Sequence, residues 1–95
     1  NRGGWEYGVY EVFANSVNGS RTYSWHTRDN DVTAEGEKFR LFTKLGAQTT
    51  LDNKHDLVLW NHLAAQGWEY VQSFDQSPTP ATTLSQTVFR RSLNR

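Results

Sequence analysis

Trp5-Glu6-Tyr7-Gly8-Val9-Tyr10-Glu11-Val12-Phe13-Ala14 sets aromatic and β-branched residues into a two-residue alternation and reads as a strand. Asn18-Gly19 follows, a pair that tolerates positive φ and signals a hairpin. A second strand is expected over Arg21 to Arg28, leading into a polar loop at Asp29-Asn30-Asp31. The turn sets the register. A two-residue Asn18-Gly19 turn pairs Val12 with Trp25 and puts Tyr23 and Trp25 opposite the face of Trp5, Tyr7 and Phe13. A three-residue Val17-Asn18-Gly19 loop pairs Phe13 with Tyr23 and gathers all five aromatics on one face. A one-residue slip flips every side chain, so the register that segregates apolar groups, the bulged three-residue loop, is favoured.

Downstream, Thr33 to Leu45 predicts a helix, with Phe39, Leu41, Phe42 and Leu45 on its apolar side. Asp31 or Thr33 is placed to cap its start, and Gly46 stands where a left-handed C-cap belongs. Ala47 to Thr50 is a connector. A second helix is expected from about Asn53 to Gln66, capped by Asp52 or Asn53 and stopped by Gly67. Its buried stripe would be Leu57, Trp60, Leu63 and Ala64. Trp68 to Phe74 is a third strand, Ser77 to Pro80 a loop with two prolines, and Thr83 to Arg91 the last strand before a frayed tail. The order β-β-α-α-β-β predicts one compact α+β domain over residues 1–95. The expected architecture is a four-stranded antiparallel sheet with both helices packed on one face. Gly4-Trp5-Glu6-Tyr7 recurs as Gly67-Trp68-Glu69-Tyr70, which predicts two strands that meet the helices in the same manner.

Composition narrows the chemistry. Ten Lys+Arg balance ten Asp+Glu, which disfavours a general nucleic-acid binder. The absence of Cys removes disulfides, thiol nucleophiles and Cys-ligated metal centres together. No apolar run approaches the roughly 20 residues of a membrane span. A start at Asn1-Arg2-Gly3-Gly4 without Met suggests a trimmed N-terminus, and the expected compartment is cytoplasmic. Four Trp, four Tyr and five Phe supply a small core that has no Ile.

The opening strand, the run Leu57 to Val71 with its Gly67-Trp68-Glu69-Tyr70-Val71, and the closing Thr87-Val88-Phe89-Arg90-Arg91-Ser92-Leu93 resemble a small bacterial family. It is domain-of-unknown-function family number 4177. The stretch from Asn15 to Asn53 is longer than the connection usual there. The resemblance implies a compact α+β domain with no assigned enzymatic activity, and it carries over no catalytic residue.

No constellation reads as catalytic, cofactor-binding or metal-ligating. His55 and His62 lie seven apart on the second helix, too far to share an ion, and His26 is on a distant strand. Glu6, Glu11 and Glu69 are expected to pair across strands with Arg21, Arg28, Arg90 or Arg91. Arg90 and Arg91 are expected on opposite faces, and Ser24 and His26 on opposite sides of a strand, which denies them a nucleophile–base pair; Asn18-Gly19-Ser20 matches a glycosylation sequon but is better read as a turn. With one face covered by Phe39, Phe42, Trp60 and Leu63, the residues Tyr10, Val12 and Val71 are expected on the open face, as an interaction surface. They would share it with Leu84 and Val88 or with Phe89. The reading is a non-enzymatic module that pairs with itself or a larger protein, without cofactor or membrane. The alternative is a small-molecule or nucleotide pocket between helices and sheet, lined by Trp25, Trp60 and Tyr70.

Overall fold

A computed structural model describes residues 4–47 and 56–93. It shows an antiparallel α+β fold with five strands, one more than expected: β1 (Trp5–Asn15), β2 (Ser20–His26), β3 (Asp31–Glu35), β4 (Glu69–Thr79) and β5 (Thr82–Ser92). They are ordered β3-β2-β1-β5-β4, so the first and last strands are neighbours at the centre. Helices α1 (Lys38–Lys44) and α2 (Asp56–Ala65) fill the long connection between β3 and β4.

The extra strand comes from the segment expected to be one helix. Thr27 donates its amide to the Asn30 carbonyl at 2.8 Å, closing a tight turn that returns the chain against β2. Val32 and Ala34 then alternate inward opposite Trp25 and Tyr23. Gly36, at φ +95°, breaks the chain between strand and helix. The helix is thus shortened to seven residues, and Glu37 stands at its N-cap without a side-chain hydrogen bond, in place of Asp31 or Thr33. The ends of both helices follow expectation. Ala47 donates to the Phe42 carbonyl and Gly46 to Thr43, while Trp68 donates to Leu63 and Gly67 to Ala64. Both are Schellman closures, and each delivers a buried residue (Ala47, Trp68) to the core.

Three further expectations are corrected. Leu59 and Leu63 are the fully buried residues of α2, whereas Leu57 is 61% exposed and Ala64 lies outside. The helix is apolar almost all round, so no single stripe was marked by its sequence. The starts proposed at Asp52 and Asn53 lie outside the described residues, as does His55. The strand expected to end at Phe74 runs to Thr79 and includes Pro78. An edge strand tolerates that proline, and the register shifts between Gln76 and Thr79. Ser92, assigned to the tail, closes β5 against Trp5.

The hairpin register matches neither alternative, although its facing is the one the two-residue turn implied and not the favoured one. Val12 pairs with Tyr23 and Tyr10 with Trp25, around a four-residue loop, Ser16 to Gly19. Asn15 Oδ1 accepts the Val17 amide, Asn18 Oδ1 accepts the Ser20 amide, and of the four only Gly19 has positive φ. Gly8 provides a physical reason. A Cβ at this position would stand 2.5 Å from Trp25 Cη2, so the indole lies on the bare backbone of β1. This seats Trp25 beside Tyr10, Tyr23 and Phe89 on the helix side, and turns Trp5, Tyr7 and Phe13 to the other.

Candidate functional site

The two faces of the sheet are chemically different. On the helix side the core runs through edge-to-face and tilted ring contacts. Tyr10 meets Trp60 at 5.4 Å, Trp60 meets Phe89 at 5.2 Å, Phe89 meets Trp25 at 5.9 Å and Trp25 meets Trp68 at 5.2 Å. Leu41, Phe42, Leu59 and Leu63 close over them and are fully buried. The described residues measure 20 Å in their thinnest direction. That is enough for one sheet and one helical layer, spaced about 10 Å apart.

The opposite face carries no layer among the described residues. Its central rows follow from the pairing of β1 with β5: Tyr7 beside Arg90, Val9 beside Val88, Glu11 beside Gln86, and Phe13 beside Leu84. Phe74 joins from β4 next to Gln86, and Trp5 lies at one end. Trp5, Tyr7, Phe13 and Phe74 are 37–51% exposed. An antiparallel sheet normally turns such a face to water with polar residues, so this apolar stripe needs another explanation than stability.

Of the three surface residues expected from the sequence, Tyr10 is 3% exposed and Val12 packs against the core, both on the helix side. The Gly8 contact with Trp25 inverts their assignment. Val71 is exposed, at the register shift on β4. Leu84 and Val88 are on the open face, and Phe89 is inside. The apolar groups on the open face are therefore Trp5, Tyr7, Val9, Phe13 and Phe74, with Leu84 and Val88. The signal available in the sequence was the glycine at an even position of an otherwise bulky strand.

Polar groups border the stripe and also cross its middle, at Glu11 and Gln86. His26 Nδ1 lies 2.7 Å from Asp31 and its Nε2 3.6 Å from Glu11. Ser24, two residues away on the same strand, is on the same face as His26 and not on the opposite one as expected. Arg90 donates to Glu69 at 2.8 Å and lies over the Trp5 ring at 4.0 Å. On the helix side Arg91 repeats the arrangement with Glu6 at 2.9 Å and the Trp68 ring at 4.4 Å. The expected Glu–Arg pairing across strands is therefore present for Glu6 and Glu69, while Glu11 meets His26. Among the described residues, no three His, Cys, Asp or Glu are grouped to hold a metal ion, and no helix is long and apolar enough to cross a membrane.

A second feature lies where α2 leaves β4 uncovered. A notch of about 420 Å³ is lined by Trp60, Asn61, Ala64, Trp68, Glu69, Tyr70 and Phe89. Two of the three pocket residues expected from sequence, Trp60 and Tyr70, meet here around Phe89. Trp25 is buried behind Phe89 and Trp68 and does not line it. No protein-family model matches the chain, and no curated protein is similar enough to count as a relative.

Proposed function

We propose that the domain is a non-enzymatic interaction module that works through its open sheet face, and that it belongs with the family its three motifs resemble. The carrying observation is the stripe of Trp5, Tyr7, Val9, Phe13, Phe74, Leu84 and Val88 on a face that no described element covers. Covering one large apolar side chain stabilises by about 1.5–3 kcal/mol relative to leaving it in water, so a partner over this stripe has a large gain available. On a face that stayed wet the same residues, already partly buried, would give the fold only part of that gain. Aromatic enrichment with a polar rim is the usual anatomy of a recognition patch.

A second reading rests on the notch between α2 and β4. Its walls are aromatic, Asn61 supplies a carboxamide at the rim, and the volume is at the lower end of small-molecule clefts, which begin at about 300 Å³. A flat, neutral ring system is the chemistry it suits.

Native mass spectrometry on protein purified from its own host separates the two. For the first reading, Phe13→Asp abolishes any assembly, with itself or with another protein, while Tyr70→Ala leaves it intact. An assembly that survives Phe13→Asp overturns the open-face reading. A small bound mass that disappears with Tyr70→Ala supports the notch instead.

A further inference from the structure

We infer that the occupant of the open face is a second copy of this chain, stacked across a two-fold axis that runs along the seam between β1 and β5; this rests on the open-face reading above. The argument is self-complementarity. In a two-fold sandwich with its axis along that seam, each open-face residue of β1 meets the residue that is its own β5 neighbour, supplied by the other copy. The register makes these good partners: Val9 meets Val88, Phe13 meets Leu84, and the Glu11 carboxylate meets the Gln86 carboxamide, which can donate to it. Stacked sheets cross at about 30°, so the match is closest in these middle rows. One row outward, the Arg90 guanidinium meets the Tyr7 ring.

An axis along β1 itself sets Glu11 against Glu11. An axis across the strands at the Tyr10 row sets Glu11 against Val9 and Arg90 against Leu84; one at the Val9 row sets Glu11 on Tyr7 and brings no Thr22 to Gln76, so coupling between those two positions separates it from the seam axis. An axis between β1 and β2 lays Val88 and Leu84 on Asp31 and Glu35 of β3. The seam axis instead leaves β3, with Asp31 and Glu35, outside the contact and in water.

The area is adequate. β1 and β5 run 11 residues each. At about 3.3 Å per residue and four overlapping strands about 4.8 Å apart, the shared face projects to roughly 600–700 Å². Side-chain relief adds to this, which approaches the ~800 Å² per partner of a standard stable interface.

The absence of cysteine gives a clean background for the test. Thr22 on β2 and Gln76 on β4 share a row with Phe13 and Leu84 but flank the seam on opposite sides. In the seam dimer, Thr22 of each copy faces Gln76 of the other, and neither residue faces itself. Thr22→Cys and Gln76→Cys proteins are mixed and treated with a short bis-maleimide, and the purified wild type is followed by sedimentation velocity over a concentration series. The expected result is a dimer whose mixed sample couples strongly while neither single variant couples to itself. Tyr7→Asp and Phe13→Asp, each checked for folding by circular dichroism, are expected to raise the dissociation constant about 100-fold or more. A dimer without Thr22–Gln76 coupling overturns the seam axis, and a purified chain that stays monomeric overturns self-pairing. If that monomer still assembles with another protein from its host and loses it on Phe13→Asp, only the identity of the partner falls. If assembly in host material survives Phe13→Asp, the open-face reading itself falls.

Discussion

Gly4-Trp5-Glu6-Tyr7 and Gly67-Trp68-Glu69-Tyr70 are the same four residues in two environments. Trp68 is 5% exposed and Trp5 43%. The copies were expected to meet the helices alike, and they meet them oppositely: Trp68 and Tyr70 look to the helix side, Trp5 and Tyr7 to the open face. Between them β5 presents Arg90 to one face and Arg91 to the other. Each arginine takes the carboxylate of one copy and the indole of the other: Arg90 holds Glu69 and Trp5, Arg91 holds Glu6 and Trp68. A short motif thus carries a preference for pairing with arginine but no preference for a side of the sheet. What precedes it settles the side. Trp68 follows directly on the Schellman closure of α2, which drops it into the core, whereas Trp5 opens a strand whose Gly8 reserves the helix side for Trp25.

The contrast is broken most severely at the two tryptophans. Trp68→Ala is expected to cost about 3–5 kcal/mol, against about 1 kcal/mol for Trp5→Ala, whose indole gives up mainly its contact with Arg90. Urea unfolding at dilute protein measures both, and equal costs would mean that the two environments are not as described. Next comes Gly8→Ala. The added methyl cannot coexist with Trp25 in place, and displacing that indole is expected to cost about 1–3 kcal/mol with a changed near-ultraviolet dichroism. An unperturbed Trp25 signal would remove Gly8 as the reason for the facing.

The arginines sharpen the comparison at smaller scale. Glu6 and Arg91 retain 13% and 25% of their side-chain exposure, so Arg91→Met strands a shielded carboxylate at about 2 kcal/mol. Arg90→Met touches a pair exposed at 38% and 54% and is expected to cost no more than about 1 kcal/mol. The smallest effect is expected from Glu69→Gln, about 0.5 kcal/mol, fading further as added salt screens the wild-type pair. If Glu69→Gln proved costlier than Glu6→Gln, the ranking of the two clamps would be reversed.

Local chemistry was legible in the sequence where a residue has one strong conformational use. Gly46 and Gly67 ended helices as read, and Glu6 and Glu69 found arginines on the neighbouring strand β5. Misreadings arose where one residue serves several turns. Asn18-Gly19 fits two-, three- and four-residue loops, and the amide acceptors Asn15 and Asn18 selected the longest. Gly36 reads as a tolerated interruption of a helix until Val32 and Ala34 are seen to need the inner side of β2. Leu84 and Val88 are on the open face as one of the two expectations had them, and Val71 is exposed, but Tyr10 and Val12 were placed there wrongly. The error was a single one: parity of the hairpin moved Tyr10 and Val12 inside together and Trp5, Tyr7 and Phe13 out together.

The central position of β1 and β5 also orders events in time. β1 pairs locally with β2, and β2 with β3, within the first 35 positions, but its other edge waits for a strand whose partner contacts span from Asn15–Thr82 to Trp5–Ser92. During synthesis the meander can form early, and the α-helical stretch after it, while the long β1 edge stays unsatisfied until β5 has been made. Closing the sheet is then the step with the largest loop to order, and the one expected to limit the folding rate. Until that moment the nascent chain presents an aromatic strand with an open edge, the state in which it is most in need of protection.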